Sequence, residues 1–224
     1  MHVGELSRNR RNTCAMAATA SATRTPRRRT SGKTTKSQIA IALLDLINEG
    51  HLQPSHQAIA ERAGVARRTV FVHFNNKEEL YAEVIRQQVP RVERLIQPIA
   101  RTAPLERRVA ALVAQRDHLY STIAKLRRAV RSEPSARNSP NIAAAAERLR
   151  RVFDQQVRAA FAYELRRFKK PAAALQRIEL ATSFETWHHL VSHQRLTRDE
   201  VRTTMAHLVW REVNVSVRAD DAMQ

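Results

Sequence analysis

The last 160 residues of this chain contain no glycine; the four glycines stand at positions 4, 32, 50 and 64. Hairpins and tight β turns draw on glycine where φ must be positive, so this stretch argues against a β-rich fold. It is instead rich in Ala, Leu, Arg and Glu, which lose little on entering a helix. Pro90, Pro98, Pro104, Pro134, Pro140 and Pro171 punctuate it. The pattern predicts an all-α protein, with helices at about 76–89, 91–101, 104–131, 141–169, 172–193 and 198–216. Glu133–Asn141, with two prolines, two serines and two asparagines, is the longest expected loop.

The chain has 224 residues, enough for a small domain joined to a larger one. No run approaches eighteen apolar residues, so no membrane-spanning segment is expected. Cys14 is the single cysteine, which excludes an internal disulfide and fits a reducing cytoplasm.

Charge is unevenly placed. The total is +18, of which residues 1–36 carry +8, residues 37–78 carry none and the remainder +10. A polyanionic partner follows, DNA first, RNA second and an anionic membrane third. Residues 1–33 have hardly any large apolar side chain and are expected to be disordered. They read as a basic arm for DNA through Arg24, Arg27, Arg28, Arg29 and Lys33, with an inert tail or a targeting segment as alternatives.

Ile39, Ala42, Leu43, Leu46 and Ile47 form one helical stripe over about 35–49, and Gly50 stops it. Pro54 closes the next loop and Ser55 caps a short helix to Ala63. Gly64 then supplies a positive φ at a corner plugged by Val65. A third short helix follows over about 66–73, turning Val70 and Phe74 inward. Asn76 and Glu79 look like a capping box for a fourth helix. This is a helix-turn-helix at about residues 55–74.

The string IAERAGVARRTVFVHFNNKEELYAEVI, residues 59–85, resembles the DNA-binding domain of the tetracycline-repressor (TetR) family. The resemblance implies a three-helix head over about 34–80. It also implies base contacts from Gln57, Arg67, Arg68, Thr69 and Val72, and phosphate contacts from Ser55, His56, Thr69, His73 and Lys77. The chemistry agrees, since Arg can grip guanine with two hydrogen bonds and Val can pack on a thymine methyl. Two positions depart from the family pattern. Ala66 stands where a capping residue is usual. Phe71 replaces a tyrosine and cannot donate to phosphate. Each should weaken positioning on DNA by about 1 kcal/mol, a loss that the basic arm could offset.

Residues 81–224 are similar, less specifically, to the ligand-binding and dimerisation domain of the same family. The resemblance implies a homodimer through the last two helices. Phe184, Trp187, Leu190 and Val191 mark one apolar face; Val201, Met205, Leu208, Val209 and Val213 mark the other. His188, His189 and His193 invite a metal reading, but no acid or Cys stands at ligand spacing, so no metal or other cofactor is expected.

Arg116 interrupts the apolar rhythm of Leu112 and Leu119, and Gln156 interrupts that of Leu149, Val152 and Tyr163. A buried arginine needs an acid, an outward path or an anionic ligand. Asp117, Asp154 or Glu185 could neutralise Arg116 within the fold. Otherwise Arg116, Tyr120 and Gln156 would belong to an effector pocket for an anionic amphiphile, such as a fatty acid or an acyl thioester of coenzyme A.

The expected function is a sequence-specific, double-stranded-DNA-binding regulator: a repressor released from a palindromic operator by a small molecule. An effector-independent architectural protein is the alternative. The chain carries no Gly-rich phosphate loop and no nucleophile placed beside a base, so it is not expected to be an enzyme.

Overall fold

The computed structural model describes residues 32–221, with side chains over 35–214. Most of the expected basic arm, including Cys14 and Arg24 to Arg29, lies outside the described residues, while Gly32 and Lys33 open the first helix. Among the described residues there is no strand, and no helix is long and apolar enough to cross a membrane.

Four helices make the head: α1 (Gly32–Asn48), α2 (His56–Ala63), α3 (Arg67–His73) and α4 (Lys77–Glu93). The stripe of α1 meets Ile59 and Ala60 of α2, Val70 of α3, Phe74, and Leu80 and Val84 of α4 in one apolar core. Each large side chain buried there contributes about 1.5–3 kcal/mol. Gly64 turns the chain between α2 and α3 at φ 66°, and its N–H returns to the last carbonyls of α2. A side chain there would be strained whatever the space around it. Asn76 caps α4 by accepting from Glu79 N–H at 2.9 Å. Glu79 reaches back to the Asn75 N–H at 3.0 Å, one residue earlier than the expected box.

The lobe holds α5 (Leu105–Ser132), α6 (Pro134–Arg137), α7 (Pro140–Ala160), α8 (Ala162–Arg166), α9 (Pro171–Ala181), α10 (Phe184–His188), a single π turn (His189–His193) and α11 (Arg198–Asp221). Four expectations about helix extent are corrected here. No helix spans 91–101: α4 carries Pro90 inside it on an exposed position, and the chain is irregular over 96–100. Pro98 biases Gln97 away from helix, and the Gln97 N–H finds the Gln115 side chain instead, at 2.9 Å.

The expected loop 133–141 contains α6, opened by Pro134 at its first position. The expected helix 141–169 breaks at Phe161, whose ring enters the core while α8 turns Glu164 inward. The expected helix 172–193 breaks at Thr182 and Ser183, where Ser183 restarts the chain as the cap of α10. α11 packs along α5 and α9 and closes the lobe.

Candidate DNA-binding face and ligand cavity

The outer face of the head is set by its caps. Ser55 Oγ accepts from the Ala58 N–H at 3.1 Å and starts α2, so Gln57 stands exposed on the first turn. Its amide donates to Glu61 Oε1 at 2.7 Å. Ala66 gives α3 no side-chain cap. Arg67 and Arg68 are exposed on α3, Thr69 and His73 are half-buried, and Val72 is 72% exposed.

Phe71, 42% exposed, is more than a spacer. Its ring lies 4.6 Å from the His56 ring, joining α2 to α3. The Arg67 guanidinium sits 5.6 Å from the same ring, so Phe71 steadies an exposed arginine of α3. Burial, then nearby Lys77 and Arg67, push His56 below the ordinary imidazole range. It is therefore neutral at physiological pH and offers a hydrogen bond rather than a charge.

Lys77 differs from the other expected contacts. Its Nζ is 3.0 Å from Glu133 Oε2, at the end of α5. The expected phosphate ligand is thus held by the lobe in this state.

Arg116 and Gln156 meet inside the lobe, with Tyr120 one turn along α5. Arg116 Nη1 donates to Gln156 Oε1 at 2.8 Å. Gln156 in turn donates to Gln97 O at 2.6 Å and Gln115 Oε1 at 2.8 Å. Tyr120 donates to Thr182 O at 2.7 Å, the carbonyl freed by the break before α10. Arg116 and Tyr120 line a cavity of about 540 Å³ between α4, α5, α7, α9 and α10; Gln156 stands behind Arg116. Burial pushes the Tyr120 hydroxyl up to about 12, so it is a donor and not an anion.

The sequence reading missed Phe153 and Arg127 in this cavity, and it placed Phe184 elsewhere. Phe153 lies three residues before Gln156 on α7, and its ring sits 4.1 Å from the Arg116 guanidinium. That spacing was a signal: i and i+3 share a helix face.

The expected dimer residues are largely used up within the chain. Phe184, Trp187 and Leu190 are buried, and so are Val201, Met205, Val209 and Val213 of α11. A helix with one apolar stripe can bury it once, and α5 and α9 take it. Leu208, 45% exposed, and half-buried Val191 are what these elements leave outward. His188, His189 and His193 cluster beside Arg128 and Arg131. The rings of His189 and His193 stack at 5.3 Å, and His188 Nδ1 meets Ser192 Oγ at 3.0 Å.

Residues 50–84 match the family model of bacterial regulatory proteins of the tetR family. The fold as a whole is similar to the crystal structure of a TetR-family transcriptional regulator from Streptomyces coelicolor, with a TM-score of 0.65 and 21% identity over 85% of each chain. It is also similar to a transcriptional regulator from Rhodococcus sp. Rha1, with a TM-score of 0.55 and 20% identity over 83% of this chain and 97% of that one. No curated protein matches the sequence. At these identities the two structures carry the fold, while the head carries the match in sequence.

Proposed function

We propose, from the premise that this chain is a TetR-family transcriptional regulator and so binds DNA, that it is a cytoplasmic repressor which leaves a palindromic operator when a small molecule fills the cavity. It acts as a homodimer, through the outward sides of α10 and α11 around Val191 and Leu208. Two α3 helices then sit about 34–36 Å apart, one turn of DNA. Arg67 and Arg68 read base edges, Val72 meets a thymine methyl, and Ser55, His56 and His73 hold phosphates.

The observation that carries the release step is the course of α5. Arg116, Tyr120, Ile123 and Val130 of this one helix line the cavity. Leu126 and Ala129 of the same helix enter the head core. Its end is tied to the head by polar contacts: Lys125 Nζ to Asn48 O at 2.5 Å, Ser132 O to the Gln53 side chain, and Glu133 to Lys77. A ligand that favours a different position of α5 therefore favours a different position of α3.

The test is selection of genomic fragments by the purified full chain, followed by footprinting. A palindrome bound about 10³-fold more tightly than random DNA at physiological salt supports the reading. The net charge of +18 favours one rival, an effector-independent architectural protein. A specificity ratio near one would establish that rival instead.

A further inference from the structure

Arg116 is 1% exposed, yet among the described residues no acid forms an ion pair with it. The three acids that could have neutralised it are committed elsewhere. Asp117 accepts from Trp187 Nε1 at 3.0 Å and pairs with Arg198 and Arg202 at 2.8 and 2.7 Å. Asp154 pairs with Arg158 at 2.8 Å and Glu185 with Arg127 at 2.8 Å. Arg116 Nη2 is the buried side-chain atom without a hydrogen-bond partner among the described residues. Phe153 covers one face of the guanidinium and Gln156 fills one nitrogen, while Arg116 lines the cavity, so a small side-chain shift would present Nη2 to an occupant.

The cavity has the rest of a ligand's outline. Ile123, Leu149, Val157 and Phe184 make an apolar wall along it. Its about 540 Å³ falls in the size range of small-molecule sites. Glu179 lines the same space but forms no ion pair with Arg116, and burial, then Asp154, disfavour its charged form. A water molecule would satisfy the open donor and leave the charge uncompensated. An alcohol would do the same. An ammonium would add repulsion. A carboxylate satisfies both donor and charge.

We infer that this cavity takes a free aliphatic carboxylate, with its headgroup on Arg116 Nη2 and its chain along the apolar wall. The inference rests on the reading of the cavity as the effector site. A thioester of coenzyme A fits less well, because its charges lie on a nucleotide far from the acyl carbonyl.

The test is calorimetric titration of the full-length protein without DNA. The probes are octanoate to hexadecanoate, dodecanol, dodecylammonium and dodecanoyl coenzyme A. At least one carboxylate of the series is expected to bind, and dodecanoate about ten- to a hundredfold tighter than dodecanol or dodecylammonium. Arg116→Met should bring dodecanoate down to the dodecanol level and leave dodecanol unchanged. It should melt only slightly lower than the wild type, because Gln156 loses one neutral hydrogen bond while no ion-paired acid is left unpaired.

Equal binding of dodecanoate and dodecanol overturns the inference, as does an unchanged dodecanoate affinity in a folded Arg116→Met. Failure of the whole carboxylate series, or tighter binding of the thioester, overturns it too. If Arg116→Met does not fold, the wild-type series decides alone. An operator assay separates this inference from the release step. Carboxylates that bind through Arg116 without freeing DNA remove the release step and keep the ligand. Release by dodecanol or dodecylammonium alone removes the ligand and keeps the release step.

Discussion

The head and the lobe are built on opposite plans. Every buried polar or charged residue among those described, from Arg108 to Thr182, lies beyond the head proper. The head core is apolar apart from the Tyr81 hydroxyl, which donates to Leu52 O at 3.1 Å, and its arginines stand in water. A module that works through its outer face can keep a dry core. The lobe buries charge, and each buried charge then needs a partner.

The lobe meets that need at Arg108. Its guanidinium reaches both Glu164 oxygens at 2.5 and 2.9 Å and two backbone carbonyls besides. Two turns further along α5, Arg116 is just as enclosed and has one neutral partner. The contrast separates a charge that holds the lobe together from one kept for something else.

The largest expected effect tests that structural charge. Glu164→Gln leaves Arg108 buried without a counter-ion and should cost about 3–5 kcal/mol in urea unfolding. In the head, Glu49→Gln removes the exposed partner of Arg62 and should leave the unfolding midpoint unchanged. Losses of equal size would break the comparison.

Asp117 extends the test to pH. Burial raises its pKa, but hydrogen bonds from Trp187, Arg198 and Arg202 outweigh burial and hold it below the ordinary carboxylate range. The stability it supplies is therefore present above about pH 4, the unfolded value, and is lost as pH falls through the lower folded value. Asp117→Asn should cost about 2 kcal/mol near neutral pH. The gap to the wild type should narrow at about pH 3. A constant gap would mean that the carboxylate charge plays no part.

On the head's surface, Arg67→Ala should lose about 1–3 kcal/mol on the best operator and relax specificity at one base position, with stability unchanged. Uniform loss across sequences would make Arg67 a phosphate contact instead. At the boundary between the two plans, Glu133→Gln frees Lys77. Operator and random DNA should then bind about threefold tighter, with a salt dependence steeper by about one ion. Weaker binding would mean that the pair supports the head rather than restrains it. The smallest effect is expected from Phe71→Tyr, which adds a phosphate donor and should tighten binding by about 0.5 kcal/mol. No gain would place the ring away from the backbone of the DNA.

The head was legible because its signals are local. Ser55, Gly64 and Asn76 each act within four residues of where they stand, and the structure places all three as caps or turn. The lobe was legible only in outline. Its helices were visible, but their breaks at Phe161 and Thr182 were not, because both are stabilised from afar: Phe161 by the core it enters, Thr182 by Tyr120 on α5. Val201, Met205 and Val209 read as an interface because an apolar stripe looks the same whether its own chain or a second copy covers it.

The sequence by itself determined the all-helical class, the caps and corner of the head, and the presence of Arg116 on a buried face of α5. Only the tertiary structure decided that Glu164 serves Arg108 while Asp117 and Glu185 turn to other arginines. The reason is geometric. Helical periodicity says which face a side chain occupies, and in a lobe of packed helices the residue opposite it comes from a different helix, as Gln156 does for Arg116 from 40 positions away.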